Sequence, residues 1–140
     1  MISVKETNLY TKALKELNYS FGNVFIFDGY IISEINQGVI FNWEEHAKII
    51  VDDVTCFLGT DGHDLIYISH RINSYSVVPH GWINFFKSRY KLKGYFIVSD
   101  DKVRILGLLI ENLFFNNKIK RFNNLETAIN SIKIGLLEVA

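Results

Sequence analysis

The sequence predicts an α/β domain, and three observations carry that prediction. In Val24-Phe25-Ile26-Phe27-Asp28-Gly29-Tyr30-Ile31-Ile32-Ser33, two strand-forming runs meet across an Asp-Gly step. This is a hairpin signal because a type I′ turn needs positive φ at both central residues, which Gly adopts freely and Asp tolerates. Downstream, apolar residues at helical spacing alternate with short apolar runs as far as the C-terminus. Two of those runs, Leu65-Ile66-Tyr67-Ile68 and Tyr95-Phe96-Ile97-Val98, are apolar on both faces, as strands inside a parallel sheet must be. The order is ββαβαβαβα: an N-terminal hairpin followed by αβ units, giving a mixed, mostly parallel five-stranded sheet packed with helices.

The elements follow in order. Residues 1–12 are polar and aperiodic and read as a flexible extension, with one domain over 13–140. Leu17, Tyr19 and Phe21 alternate with polar neighbours and lead into Val24 to Phe27, a first strand bent at Gly22; Tyr30 to Ile35 is the second. Asn42 with Glu45 three residues later approximates a capping box ahead of the stripe Trp43, Ala47, Ile50, Val54 and Phe57. The turn Gly59-Thr60-Asp61-Gly62 precedes the third strand. Pro79 suits a first helical turn, where its missing N–H costs nothing, and Trp82, Phe85, Phe86 and Tyr90 follow. Gly94 releases the fourth strand. Asp100 heads a third helix with stripe Val103, Leu106, Ile110, Leu113 and Phe114. Ile119 to Phe122 is the fifth strand, and Asn123 with Glu126 opens a last helix striped by Leu125, Ala128, Ile129, Ile132 and Leu136.

Composition excludes several classes. A chain of 140 residues, 49% hydrophobic, is enough for one sizeable core. Fifteen basic and fifteen acidic residues balance, so no overall field draws the chain to nucleic acid or an anionic membrane. The longest apolar stretch, Ile105 to Phe115, is broken by Gly107, Glu111 and Asn112 and falls short of the about 20 residues a span needs. The opening Met1-Ile2-Ser3-Val4-Lys5-Glu6 has no apolar h-region, so the expected location is cytoplasmic. Cys56 is alone, which rules out an intrachain disulfide, and it reads as a buried thiol in the first helix.

Chemistry in an open parallel sheet gathers beyond the carboxyl ends of the strands. There this topology collects Asn36 and Gln37, Ser69 to Ser76, Ser99 to Asp101, and Asn123 with Asn124. The densest part is Ser69, His70, Arg71, Asn73, Ser74, Tyr75 and Ser76. It offers an Arg with the geometry to grip a carboxylate or phosphate, a titratable His and several hydroxyls. An anion or a partner's acidic side chain suits it; ordinary loop capping by Ser and Asn is the plainer alternative. His46, His63, His70 and His80 have no spacing that brings two ligands to one metal. Ser69 and His70, as neighbours in an extended segment, point to opposite faces and make no dyad, and neither a Gly-x-Ser-x-Gly elbow nor a glycine-rich phosphate loop is present. No catalytic, cofactor or metal residue is assigned. The basic run Lys87, Arg89, Lys91 and Lys93, with Lys118, Lys120 and Arg121, reads as a solvated face complementing a helix end.

The order from hairpin to C-terminus, about 120 of the 140 residues, resembles the STAS domain, the SpoIIAA-like fold of bacterial anti-sigma-factor antagonists. The local match is Leu65-Ile66-Tyr67-Ile68, a Ser-rich loop, a helix ending Phe86-Lys87-Ser88-Arg89-Tyr90, then Gly94 before a strand. The segment Tyr67 to Ser76 also resembles one in a group of short bacterial STAS-like proteins that brings no activity with it. The STAS resemblance implies a regulatory protein-interaction module gated by phosphorylation of a serine before the following helix. Ser74 and Ser76 are the nearest positions, although the family's Asp-Ser-Ser/Thr-Gly motif is absent. The expectation is therefore a non-catalytic interaction module that uses Ser69 to Ser76. The rival is a small-ligand or lipid-binding protein, or a weak enzyme, with an apolar pocket between helices and sheet that opens at the same polar edge. A homodimer through an exposed face at Trp82 and Phe86 is a third reading.

Overall fold

The computed structural model describes residues 1–100, 110–113, 115 and 118–139, the last four of these by backbone alone. The expected helix positions Val103, Leu106 and Phe114, the rim residue Asp101 and the side chain of Leu136 lie outside the described residues. Residues 110–113 are helical.

Strand pairing begins with two successive hairpins. β1 (Lys15–Tyr19) and β2 (Gly22–Phe27) are antiparallel and meet at Tyr19 opposite Gly22; β3 (Tyr30–Ile35) is antiparallel to β2, with Phe27 opposite Tyr30. The Asp28-Gly29 turn is present, with Gly29 at φ 86°. The first strand is thus not one bent strand but two, joined by a Ser20-Phe21 turn. That turn carries none of the Gly or Asn-Gly punctuation that marks Asp28-Gly29, and the alternation of Leu17, Tyr19 and Phe21 runs straight through it. The main sheet accordingly has six strands rather than five. Its order is β1-β2-β3, then β5 (Ile66–His70), β7 (Gly94–Val98) and β8 (Lys120–Phe122), the last three parallel to β3. A separate parallel pair, β4 (Ile40–Phe41) with β6 (Ser76–Val77), is too short for the sequence pattern to register.

Alternation divides the sheet into two buried faces. Val24, Ile26, Ile31, Ile35, Tyr67, Tyr95 and Ile97 face one side, and Phe25, Phe27, Ile32, Ile66, Ile68, Phe96 and Val98 the other. On the first side pack α1 (Lys48–Leu58) through Ile50 and Val54, and Trp82 of α2 (Gly81–Lys87) together with Phe115. On the second side pack α3 (Leu125–Val139), through Ala128, Ile129 and Ile132, and Val4 of the N-terminal segment. Right-handed crossovers between adjacent parallel strands put α1 and α2 on one side, which leaves the opposite side to the two ends of the chain. Residues 1–12, read as an extension, form two short 3₁₀ turns, and Val4 is fully buried.

Asn42 accepts a hydrogen bond from the Glu45 amide at 2.9 Å, the expected cap, but the helix starts as a wide π turn, Trp43–Ala47, before α1 continues it. Phe57 at its far end is exposed rather than in the stripe, and Cys56 is an exposed thiol, not a buried one, because both fall on the solvent side of α1. α3 is capped by Asn124, which accepts from the Thr127 amide at 2.9 Å, in place of Asn123. Among the described residues no helix is long and apolar enough to cross a membrane.

Candidate functional site

Consecutive residues at the carboxyl ends of β3 and β5 project to opposite faces and build a polar cluster on each. Ser33 and Ser69, paired across the two strands, face the α1–α2 side; Glu34 and His70 face the α3 side.

On the α1–α2 side, Arg71 is the hub. Its Nε donates to Ser69 Oγ at 3.1 Å, and its Nη2 donates to Tyr95 Oη at 3.0 Å and to Glu111 Oε2 at 2.9 Å. Glu111 Oε1 accepts from Tyr95 Oη and, at 3.1 Å, from Trp82 Nε1. Ser69 Oγ shares a 2.6 Å hydrogen bond with Tyr75 Oη, and Ser33 Oγ a 2.8 Å one with Tyr67 Oη. Burial of the guanidinium alone would favour its losing a proton, but the Tyr95, Tyr75 and Glu111 oxygens outweigh that and hold Arg71 charged. Burial raises the Tyr95 hydroxyl well above the ordinary tyrosine range, with the Glu111 charge adding to it, and burial likewise raises Tyr67.

Over this cluster the sheet and helices do not close completely. A cavity of about 90 Å³ remains, walled by Trp43 and Ile50, by Trp82 and Phe85, and by Tyr67 and Tyr95, with Glu111 at its polar end. Its walls are almost wholly apolar. Tyr67 and Tyr95 stack with centroids 5.2 Å apart, and the Trp82 ring lies 4.6 Å from that of Tyr95.

On the α3 side, Glu34 accepts from Ser3 Oγ, from the Val4 amide at 2.8 Å and bonds His70 Nδ1 at 2.9 Å. Burial would raise the Glu34 carboxyl; these hydrogen bonds exceed that effect and hold it below its ordinary value.

The strand-end residues expected at one edge do lie side by side. Asn73 Nδ2 donates to the Ile35 carbonyl at 3.0 Å, the Gly38 amide to the Ser74 carbonyl at 2.8 Å, the Arg71 amide to the Val98 carbonyl at 2.9 Å and the Ser99 amide to the Phe122 carbonyl at 3.0 Å. What the edge presents differs from the expectation. His70 and Tyr75 are buried and Arg71 turns inward to Glu111, so neither the cation nor the imidazole faces solvent. Ser69 is buried too, Asn73 and Ser74 are half-buried, and Ser76 alone of the stretch is exposed. Trp82 also points inward, leaving Phe86 exposed, so the two do not form one outer face.

The remaining histidines are dispersed. His46 accepts from the Asn42 amide at 3.0 Å and stacks on Phe41, and burial lowers its pKa; His63 bonds Asp61 at the surface. Among the described residues no three potential ligands stand close enough to hold a metal. The basic run spans the end of α2: Lys87 lies in its last turn, Ser88 caps it and donates to the Phe85 carbonyl at 2.6 Å, and Arg89, Lys91 and Lys93 follow in an irregular segment.

Sequence reasoning missed Glu111, Tyr67, Tyr95 and Glu34. The signal for Glu111 was the acidic residue inside the apolar run 105–115. For Tyr67 it was the period-two series Tyr67, Ser69, Arg71, which alternates with Ile66 and Ile68.

Together these features define a three-layer α/β domain with an apolar pocket on one sheet face, whose lining includes Glu111 of the ionic cluster. In comparisons with family models, curated proteins and solved structures, the chain matches none.

Proposed function

We propose that this chain is a non-catalytic binding module of STAS-like type whose ligand seats in the aromatic pocket between the sheet and its helices. The observation that carries this reading is the cavity itself, apolar and ring-walled. The STAS-like order of an antiparallel hairpin followed by parallel αβ units supports the fold relation; fold alone says nothing about activity. A non-catalytic role is supported by the state of the titratable groups. Arg71, Glu111, Tyr95 and Ser69 are linked into one hydrogen-bonded network, which engages these groups with one another. Ser76, exposed beside the pocket-wall residue Val77, is where a phosphorylation gate would act.

The chain has two tryptophans, Trp43 and Trp82, and both line the pocket. Replacing them with 5-fluorotryptophan gives one ¹⁹F resonance for each wall. Screened against a mixed panel of apolar, polar and charged small molecules, at least one compound is expected to shift both resonances, and Ala47→Met, which fills the cavity, should abolish the shift. Two resonances unmoved by the whole panel would reject the reading.

A further inference from the structure

Resting on the pocket reading above, we infer that the occupant is a compact, electrically neutral hydrocarbon group, and that the Arg71–Glu111 pair makes the site discriminate against charge of either sign. Three observations lead there. First, among the described residues the polar side chains at the cavity are already hydrogen-bonded: Glu111 accepts from Arg71, Tyr95 and Trp82, and Tyr67 is bonded to Ser33. Among the described residues no buried side-chain nitrogen or oxygen lacks a partner. A polar ligand atom would be desolvated and would have to compete with these existing bonds for a partner, which is costly.

Second, a ring of aromatic walls beside a carboxylate resembles a cage for an organic cation. Here the carboxylate is neutralised by a guanidinium 2.9 Å away, so a cation meets repulsion from Arg71 as well as attraction from Glu111. An anion meets the reverse. Either would have to break a largely buried ion pair to gain a partner.

Third, size limits the group. A dry cavity of about 150 Å³ accepts benzene, and this one measures about 90 Å³. That is too small to enclose a benzene ring, but one wall reaches solvent at Val78, 37% exposed, so a short branched chain fits inside and a single ring enters with part of it left at the mouth. The same chemistry is offered by a free small hydrocarbon and by the hydrocarbon end of a larger neutral molecule.

The test uses the fluorotryptophan-labelled full chain and three near-isosteric probes, toluene, benzylammonium and benzoate, with octyl glucoside as a tail-bearing neutral molecule. Toluene is expected to shift both resonances, with both ions binding at least roughly tenfold more weakly, a difference of about 1.4 kcal/mol. Ala47→Met should remove the toluene response, and Val51→Phe serves as a second cavity-filling variant should the first not fold. Octyl glucoside binding more tightly than toluene assigns the larger molecule as the source; toluene binding more tightly assigns the free one. Either ion binding as well as toluene, and displaced by Ala47→Met, overturns the inference while the pocket reading stands. No response to any of the four probes overturns the inference, and the broader panel then decides the pocket reading independently.

Discussion

Arg71 and Glu111 lie 40 positions apart in sequence yet form an ion pair whose acid lines the pocket. Their side chains are 15% and 2% exposed, so solvent screens the pair little. Taking one partner away strands the other charge and its hydrogen bonds, at a cost of about 3–5 kcal/mol, whereas replacing both by apolar residues of similar volume is often neutral. The expectation is that Arg71→Ala and Glu111→Leu each lose stability on that scale in urea denaturation, while Arg71→Met combined with Glu111→Leu recovers most of it. If the double variant loses as much as the two single ones added together, the pair does not act as a unit. The same residue explains why a surface reading of Arg71 fails. Sequence shows a polar, cationic stretch after a strand, but the direction of its side chain is set by Glu111 on a distant helix, and no local pattern encodes that.

At the scale of elements, the strands were largely legible because alternation and burial are local properties. Tyr30–Ile35 is the strand the sequence predicts, and the later strands shift by at most two residues at either end. Legibility fails where a turn lacks its usual residues, as at Ser20-Phe21, or where an element is only two residues long, as in β4 and β6. The π turn at Trp43–Ala47 was equally hidden: its apolar spacing is what an ordinary helix would show. The turn at Gly59 to Gly62 was legible, and the structure adds why its last residue must be glycine. Gly62 has φ 98°, and a Cβ there would lie 2.1 Å from the Lys91 carbonyl oxygen. That contact docks the α1–β5 connection against the segment that carries Leu92 into the pocket wall. Gly62→Ala should therefore cost roughly 1–3 kcal/mol, more than an ordinary glycine-to-alanine exchange. Thermal unfolding would measure it, and a melting temperature equal to or above that of the parent would show the close approach to be slack.

For the molecule as a whole, buried ionisable groups on both faces of one sheet set the pH range over which it is stable. Glu34 holds its carboxyl below the ordinary value because His70, Ser3 and Val4 hydrogen-bond the ionised form more strongly than burial opposes it. A depressed acid contributes stability above its unfolded pKa and loses it as pH falls through the folded one. His46 acts in the same direction: burial lowers its pKa, so below the ordinary 6.5 the unfolded chain takes up the proton first. The tyrosines oppose this at the other end. Tyr19, Tyr30, Tyr67 and Tyr95 are all raised above 10.0, chiefly by burial, so stability present below that pH is lost as pH rises past it. The melting temperature should thus be flat between about pH 6.5 and 10 and decline on either side. Glu34→Gln separates the acid contributions, because glutamine keeps the shape but cannot titrate. It should melt lower than the parent at neutral pH, where the carboxylate otherwise binds Ser3 and Val4 of the N-terminal segment, and its acid decline should be shallower. An acid limb of unchanged slope in that variant would mean that the α3-side cluster does not clamp the chain's start to the sheet by charge.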